Sequence, residues 1–377
     1  MTSGMVVFGE DWGRHPSSTQ HLVRRLAGQH PVLWVNSIGM RRPQLTGRDF
    51  RRAVTKVFSR GTATPGAVGP AAQKSPEGLS ILAPMVVPWP ASALAFAANR
   101  ALLKRQILPR LVARGIDRPI LWASLPTALP AVGHLGERAV VYYCGDDFGS
   151  LAGVDHAPVL EMEAKLVEKA DLVIVASENL AKKFPSSKKL LVPHGADVAL
   201  FSTPAPRAPD LPMDRPVAGF YGSLADWVDV ELLAHSARAL PHWLFVFVGS
   251  IETDVSLLQA LPNVRFLGPR AHHDLPGFAQ HWCASLLPFR DCAQIRACNP
   301  LKLREYLAAG RDIVTTDFPA LAPYRDLVSI ARDRNEFVQA ISRTASSHDR
   351  SEERRLRVRP ETWEARAADV ASALRAL

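Results

Sequence analysis

Two adjacent carboxylates stand just after a short apolar run in the first half of the chain. Residues 139–143 predict a strand, and Asp146 and Asp147 follow it within a few residues. Because ligands of α/β proteins bind at the carboxyl ends of strands, a carboxylate at this place suits a general base. An Asp there is also a common helix cap or Asx-turn residue, so both interpretations stay open.

A second polar group lies at the start of a helix predicted for residues 301–309. Pro300 stands near the first helical position, so the free amides after it would attract a diphosphate. Glu305 lies about one turn into the helix, where a carboxylate can accept two hydrogen bonds from a ribose. Lys302 or Arg290 would neutralise phosphate charge. A surface amphipathic helix explains the same pattern.

A glycine-containing turn follows the apolar run 217–221. Gly219 and Gly222 would allow the backbone to approach a phosphate or a ribose closely. The turn has neither the GxGxxG pattern nor the Walker lysine. An ordinary strand-to-helix turn therefore explains it equally well.

Short apolar runs alternate with helical patterns along the chain, which is typical of βαβ units and parallel sheets. Residues 5–8 and 31–36 predict strands on either side of a helix that Ser17 and Gln20 open as a capping box. The alternation restarts at residue 217, after a segment, 202–216, with five prolines. We predict two Rossmann-like domains, 1–202 and 216–360, with ligand bound in the cleft between them.

The composition excludes several classes of protein. Of 377 residues, 47% are hydrophobic and 21% are charged, as in globular proteins. Four cysteines without zinc spacing favour a reducing cytosol and argue against a disulfide scaffold or a metal cluster. The sequence shows neither a signal-peptide pattern nor an apolar run long enough to span a bilayer.

The positive charge is concentrated in the first half. The net charge is +9, and residues 1–200 hold 24 Lys or Arg against 15 Asp or Glu. Seven basic residues lie between Arg41 and Arg60, and a second set comprises Arg100, Lys104, Arg105, Arg110 and Arg114. A solvated basic face, nucleic acid or an anionic membrane would each fit this charge. Since apolar residues lie nearby at 81–96 and no nucleic-acid motif occurs, we favour a membrane surface and expect no nucleic-acid partner.

The second half of the chain resembles bacterial B-fold glycosyltransferases of the family-4 kind. Residues 299–314 resemble their donor-binding signature, and residues 220–224 match the strand and glycine turn that open their donor domain. Residues 266–270 match the loop that usually contacts the nucleobase, and 170–177 and 193–201 resemble two further segments of the family. The opening residues 8–12 resemble those of transferases in cell-surface polysaccharide assembly.

The resemblance implies a fold and a set of site residues. Two Rossmann-like domains would face each other across a cleft, and a C-terminal helix at 361–377 would pack back on the first domain. Glu305 would hold the donor ribose, while helix amides and nearby cations would bind the diphosphate. The implied donor-binding residues are Gly222, Ser223, Arg270, Arg290, Asn299, Pro300, Leu301, Lys302 and Glu305.

Three positions depart from the family's pattern. Ala297 stands where retaining members have an acid that touches the donor sugar, and residues 223–231 lack the usual diphosphate-binding Arg and Lys. The usual histidine of the first domain is replaced by the region 144–147. We therefore expect Asp146, with Asp147 as the second choice, to act as the base of an inverting attack.

The resemblance implies transfer of a sugar from a nucleoside-diphosphate sugar, with a UDP-sugar favoured. The acceptor would be lipid-linked or a polysaccharide in bacterial exopolysaccharide or cell-envelope biosynthesis. We expect a hexosyltransferase-type enzyme (EC 2.4) without metal or other cofactor, cytoplasmic and peripheral on the inner face of the membrane. Two alternatives stay open: a sugar-nucleotide epimerase of the same fold, and a catalytically inactive protein that binds sugar nucleotides or polyanions.

Overall fold

The computed structural model describes residues 2–13, 17–38, 76–87, 89, 92–151, 155–346 and 348–377. The chain divides into two compact units: the first comprises residues 1–192 and 369–377, and the second comprises residues 193–368. The predicted basic cluster between Arg41 and Arg60 lies outside the described residues. Among those described, no helix is both long and apolar enough to cross a membrane.

The first unit is built on a seven-stranded sheet of order β3-β2-β1-β4-β5-β6-β7, in which every strand pair is parallel. Its elements are β1 (Thr2–Phe8), α1 (Ser18–Leu26), β2 (Val32–Val35), β3 (Leu79–Leu82), α2 (Ala93–Ala113), β4 (Ile116–Ala123), β5 (Ala139–Cys144), α3 (His156–Lys169), β6 (Leu172–Val175), α4 (Glu178–Ala181) and β7 (Lys189–Leu191). A 3₁₀ turn, Pro126–Ala131, follows β4. The central strands are buried along their length, as expected for a parallel sheet covered on both faces.

The loop after β1 is tied to the start of α1. Ser17 accepts a hydrogen bond from the backbone of Gln20 at 3.2 Å, which is one half of the predicted capping box. The Gln20 side chain does not complete the box: it accepts from the Gly13 amide at 3.1 Å and reaches Glu10 at 3.4 Å. The carboxyl end of β1 is thereby held in a defined conformation.

The second unit is built on a six-stranded parallel sheet of order β10-β9-β8-β11-β12-β13. Counted from β8 as the first strand, this is the order 3-2-1-4-5-6 of the doubly wound Rossmann fold. Its elements are α5 (Val198–Ser202), β8 (Val217–Tyr221), α6 (Val230–Ala239), β9 (Leu244–Val248), α7 (Ser256–Gln259), β10 (Val264–Phe266), α8 (Pro276–Ala279), β11 (Ala284–Leu287), α9 (Ala293–Ala297), α10 (Leu301–Ala309), β12 (Asp312–Thr316), β13 (Ser329–Ala331), α11 (Arg334–Arg343) and α12 (Ser351–Val358), followed by α13 (Trp363–Arg375). The predicted α/β class with two parallel sheets is confirmed.

The proline-rich segment is part of the second unit, whereas the sequence analysis placed a domain boundary on it. Gln280 donates hydrogen bonds to the carbonyls of Phe201 and Thr203 at 2.7 and 2.8 Å and accepts one from the Ala205 amide at 2.9 Å. The Ala208 amide also donates to the Gly277 carbonyl. Because these bonds fix the segment to the second unit, the chain divides earlier, between Val192 and Pro193. Helix α13 is divided between the two units: residues 363–368 belong to the second unit, and residues 369–375 belong to the first.

Candidate functional site

Helix α10 presents an uncapped N-terminus. It begins at Leu301 and ends at Gly310, whose φ of 85° is the left-handed conformation that favours glycine, so the predicted helix end is confirmed. Pro300 occupies the N-cap position, one residue before the predicted first helical position, and it makes no side-chain cap hydrogen bond. The first turn therefore retains the backbone donors and the dipole that attract an anion.

The carboxylate of Glu305 is buried and held on both oxygens. Tyr221, at the end of β8, donates a hydrogen bond from Oη to Glu305 Oε2 at 2.6 Å. His272 Nε2 lies 2.9 Å from Glu305 Oε1. Each carboxylate oxygen has a second acceptor site, so the group can still accept from two vicinal hydroxyls. The two partners fix the orientation in which it would do so.

His272 is surrounded by acceptors. Its Nδ1 lies 3.7 Å from Asp197 Oδ2, while its Nε2 bonds Glu305. Burial lowers the pKa of His272, but the hydrogen bond and charge of Glu305 and the charge of Asp197 outweigh burial and raise it above its ordinary value. The imidazole is thus favoured in its charged form, which donates to Glu305.

Lys302 runs alongside Gly222 at the end of β8. Gly222 has a φ of 119°, and a β-carbon at this residue would overlap Lys302 Cε and Nζ. The ammonium also lies 5.7 Å from the centre of the Phe220 ring. Desolvation lowers the pKa of Lys302, although the nearby charge of Glu305 opposes the shift. A phosphate beside this ammonium would relieve the cost of its desolvation.

The other predicted donor-binding residues lie in different surroundings. Ser223 bonds Ser250 through their hydroxyls at 2.8 Å, and Asn299 accepts from Arg304 at 2.5 Å. Arg270 donates to the Leu267 carbonyl at 2.6 Å and pairs with Asp210 at 3.2 Å. Arg290 is exposed, and the described part of the chain offers its side chain no hydrogen-bond acceptor. Arg296, in helix α9, pairs with Asp291 at 2.6 Å.

The two predicted carboxylates of the first unit have different environments. Asp147 pairs with Lys183 at 2.7 Å and accepts from the Gly149 amide at 3.2 Å. Burial raises the pKa of Asp147, but Lys183 and these hydrogen bonds outweigh burial and lower it. The Asp146 side chain is exposed, yet partial desolvation and then the charge of Asp147 raise its pKa. Asp147 is therefore held by Lys183, whereas the pKa of the Asp146 carboxyl lies above its ordinary value.

Three groups around these sites were not predicted from the sequence as site residues. Tyr221 and His272 contact Glu305, and the histidine pair 272–273 after the predicted base-binding loop was the available signal for the second of them. In the first unit, desolvation and the charge of Asp146 raise the pKa of Glu10, while a hydrogen bond from Gln20 opposes the shift. Glu10 and Asp146 follow different strands, so their electrostatic interaction is visible only in the fold. In the described part of the chain, no group of three or more His, Cys, Asp or Glu side chains could hold a metal ion.

Comparisons with known sequences match part of the chain to glycosyltransferases. The family model "Glycosyl transferases group 1" matches residues 215–347, the segment that contains Tyr221, His272, Lys302 and Glu305. The chain is also 28% identical over 229 residues to TuaH of Bacillus subtilis, a protein assigned as a teichuronic acid biosynthesis glycosyltransferase. That alignment covers 54% of this chain and 57% of TuaH, so the chain spans little more than half the length of this relative.

Comparisons with solved structures cover the whole chain. Sucrose-phosphate synthase from Thermosynechococcus elongatus superposes with a TM-score of 0.71 at 16% identity, covering 99% of this chain and 98% of that one. Anabaena HepE, solved in complex with UDP and glucose, superposes with a TM-score of 0.69 at 13% identity and full coverage of both chains. The chain therefore shares the fold of these proteins, with two Rossmann-like units, and its residues 215–347 match the model of the group 1 glycosyl transferases.

Proposed function

We propose that the protein transfers a sugar from a nucleoside-diphosphate sugar, UDP-sugar being favoured, to an acceptor hydroxyl. The observation that carries this proposal is the arrangement around α10: an uncapped helix N-terminus, Lys302 beside Gly222, and Glu305 held by Tyr221 and His272. The helix N-terminus and Lys302 would bind a diphosphate, and Glu305, about one turn further along the helix, would bind a ribose. The similarity to HepE, which was solved with UDP and glucose, supports uracil as the base.

In the proposed reaction, the departing diphosphate is stabilised by the amides of the first turn of α10 and by Lys302. Glu305 accepts hydrogen bonds from the ribose hydroxyls, and the loop that contains Arg270 contacts the base. Asp146, whose raised pKa favours proton uptake, removes the proton from the acceptor hydroxyl. This scheme uses no metal ion, because helix amides and a cation neutralise the leaving group.

The acceptor and the cellular site are further parts of the proposal. We propose a lipid-linked or polysaccharide acceptor in the synthesis of bacterial cell-envelope or exported polysaccharide, with the enzyme peripheral on the inner face of the cytoplasmic membrane. The similarity to TuaH, which is assigned to teichuronic acid biosynthesis, supports this direction. The basic residues of α2 and the exposed apolar side chains near it support a membrane surface.

A thermal-shift titration tests the donor site. We expect UDP to raise the melting temperature without added metal, more than GDP, ADP or dTDP, because a ligand of the folded state stabilises it by mass action. The Glu305→Gln variant keeps the shape of the side chain and should lose this shift. Glu231→Gln is the matched control, because Glu231 is exposed on α6 and pairs with Arg334. No shift with any nucleotide would contradict the proposed donor site and favour an inactive protein of the same fold that binds polyanions.

Product analysis separates a transferase from an epimerase. A transferase releases free UDP only when an acceptor is present, whereas an epimerase converts one UDP-sugar into another and needs no acceptor. We expect release of UDP on addition of membrane lipid extract or oligosaccharide acceptors. Conversion of the sugar without release of UDP would contradict the transferase proposal while leaving the donor site intact.

A further inference from the structure

An apolar stretch before α2 is fixed in place with its side chains toward solvent. Asn99 pairs with the backbone of Val87 through two hydrogen bonds, at 2.6 and 2.9 Å. Gln106 pairs in the same way with the backbone of Met85, both bonds measuring 2.9 Å. The backbone is thereby held along the helix, while Met85 remains 64% exposed and Trp89 51% exposed. Large apolar side chains on such a fixed surface mark a contact surface.

A cavity of about 700 Å³ lies beside this stretch, between α2, the 3₁₀ turn Pro126–Ala131 and α3. Its apolar lining includes Phe96, Leu129, Val132 and Met162. A second cavity of about 450 Å³ is lined by apolar residues around Trp89 and, as its polar residue, by Ser92. A small third cavity shares Val87 and Trp89 with the second and Phe96 and Met162 with the first, so the three adjoin one another; together they are called the groove. This volume is that of a small-molecule site.

The groove carries positive charge at one end. Arg100, Lys165 and Lys169 line the larger cavity together with Glu161 and Glu168, and Lys165 pairs with Glu161 at 2.6 Å. Helix α2 contains four basic residues and no acidic one, and within the described chain none of the four forms an ion pair.

His134 lies on the wall of the same cavity, and its pKa is affected by these positive charges. Desolvation and then the charge of Arg100 lower its pKa, with Lys104 and Lys169 adding to the effect and Glu137 opposing it. The Arg100 guanidinium lies 5.6 Å from the centre of the Phe96 ring. An anionic group at this end would meet two cations, Arg100 and Lys169, that form no ion pair with any described residue.

We propose that this groove binds a single anionic phospholipid of the membrane surface. The phosphate would lie between Arg100 and Lys169, and a hydrocarbon chain would follow Phe96 towards Trp89. A glycan is a poorer fit, because the smaller cavity offers hydrocarbon and one hydroxyl where sugar hydroxyls would need several polar partners. The inference extends the proposed membrane association to a defined site, but it requires only binding and no sugar transfer.

Binding of phosphatidylglycerol tests the site in two formats with the full-length protein. Co-sedimentation compares vesicles of phosphatidylcholine alone with vesicles that also contain phosphatidylglycerol, and calorimetry uses monomeric dihexanoyl-phosphatidylglycerol. The test variant is Arg100→Gln with Lys169→Gln. The matched control is Arg110→Gln with Arg114→Gln, which removes the same charge at the far end of α2.

We expect the wild-type protein and the control to bind one molecule of the short-chain lipid, and the test variant to bind it about tenfold more weakly. Equal losses of lipid binding in both variants would show that a diffuse basic surface binds the lipid, and would overturn the proposed site. Binding of inorganic phosphate as tight as that of the lipid would overturn it as well. Binding of farnesyl phosphate without binding of the phospholipid would also overturn the proposal and indicate a carrier lipid instead. The UDP-induced thermal shift is measured in the same preparations. If the shift is present and lipid binding is absent, this inference fails while the proposed donor site stands.

Discussion

At the scale of single residues, neighbours in sequence have different chemical characters because their partners differ. Asp147 is bound by Lys183, which also lies 3.3 Å from the buried Glu163, whereas Asp146 has a raised pKa. Glu305 likewise takes its orientation from two residues that lie far from it in sequence, Tyr221 and His272. The predictions at this scale concern which of these side chains acts on a substrate and which positions another.

Replacing each carboxylate by its amide should separate their roles. Asp146→Asn removes the proposed base and should lower kcat about 100-fold or more, with little change in melting temperature. Asp147→Asn should instead lower the melting temperature, because it breaks the ion pair with Lys183, and should spare most of kcat. Steady-state kinetics and thermal unfolding of both variants check this, and the reverse pattern would transfer the role of base to Asp147.

Tyr221 should act as a positioning residue for the donor ribose. Tyr221→Phe deletes the hydroxyl that bonds Glu305 and should raise KM for the donor about tenfold while changing kcat less. Tyr324→Phe is the matched control, because it deletes a hydroxyl that bonds a different carboxylate of the same unit, Glu361. An equal effect of both variants on KM would indicate a general loss of stability.

His272 should make donor binding dependent on pH. Its raised pKa keeps the imidazole charged and bonded to Glu305 at low pH, and the proton is lost as the pH rises through that raised value. The donor KM should therefore increase as the pH rises through this raised pKa. In His272→Gln, which cannot titrate, this dependence should disappear. A pH profile of KM that is the same in both proteins would remove His272 from the site.

At the scale of elements, β8 depends on a glycine for its packing. A β-carbon at Gly219 would overlap the ring of the buried Trp282, whose Nε1 is fixed by a hydrogen bond to Ser285 at 2.8 Å. Since β8 carries Tyr221 and Gly222 at its end, a shift of this strand would also move the candidate donor site. Helix α10, by contrast, is defined locally by Pro300 and Gly310.

Gly219→Ala should lower the free energy of unfolding by about 1–3 kcal/mol, the usual cost of overpacking a core. Gly28→Ala is the control, because its β-carbon would have no neighbour nearer than the Arg25 carbonyl oxygen at 3.9 Å, and its effect should stay within about 0.5 kcal/mol. Urea titrations followed by tryptophan fluorescence measure both. A fully stable Gly219→Ala protein would mean that Trp282 has an alternative position.

At the scale of the whole molecule, one histidine links stability to pH. Burial and then the charge of Arg304 lower the pKa of His194 to about 3. The unfolded chain has the ordinary value of about 6.5, so between these values the unfolded state binds more protons than the folded state. Stability should accordingly fall as the pH falls below about 6.5, by at most about 1.4 kcal/mol per pH unit from this group.

His194→Asn removes this contribution. The variant should lose stability less steeply than the wild-type protein between neutral pH and pH of about 4. Urea titrations at several pH values give both slopes, and their difference isolates His194 from the carboxylates that titrate in the same range. Equal slopes would show that His194 is protonated in the folded protein as well.

The features that depend on short segments could be predicted from the sequence alone. An apolar run placed the strand 217–221 correctly, and Gly310 marked the end of α10, because burial on both faces and a left-handed C-cap leave local signals. The alternation of these runs was sufficient to predict two parallel sheets. The position of Glu305 and Lys302 at the start of a predicted helix already made them candidates for the donor, and the family resemblance added Ser223, Arg270 and Asn299.

The features that depend on hydrogen bonds between distant segments could be established only from the folded structure. Strand β3 and helix α2 fall in a stretch that proline residues interrupt, and Asn99 and Gln106 bind its backbone through pairings that no local pattern reveals. The proline-rich segment belongs to the second unit because Gln280 binds its backbone. His272 reaches Glu305 across 33 positions of sequence, and such a contact exists only once the parallel sheet has brought the ends of its strands together.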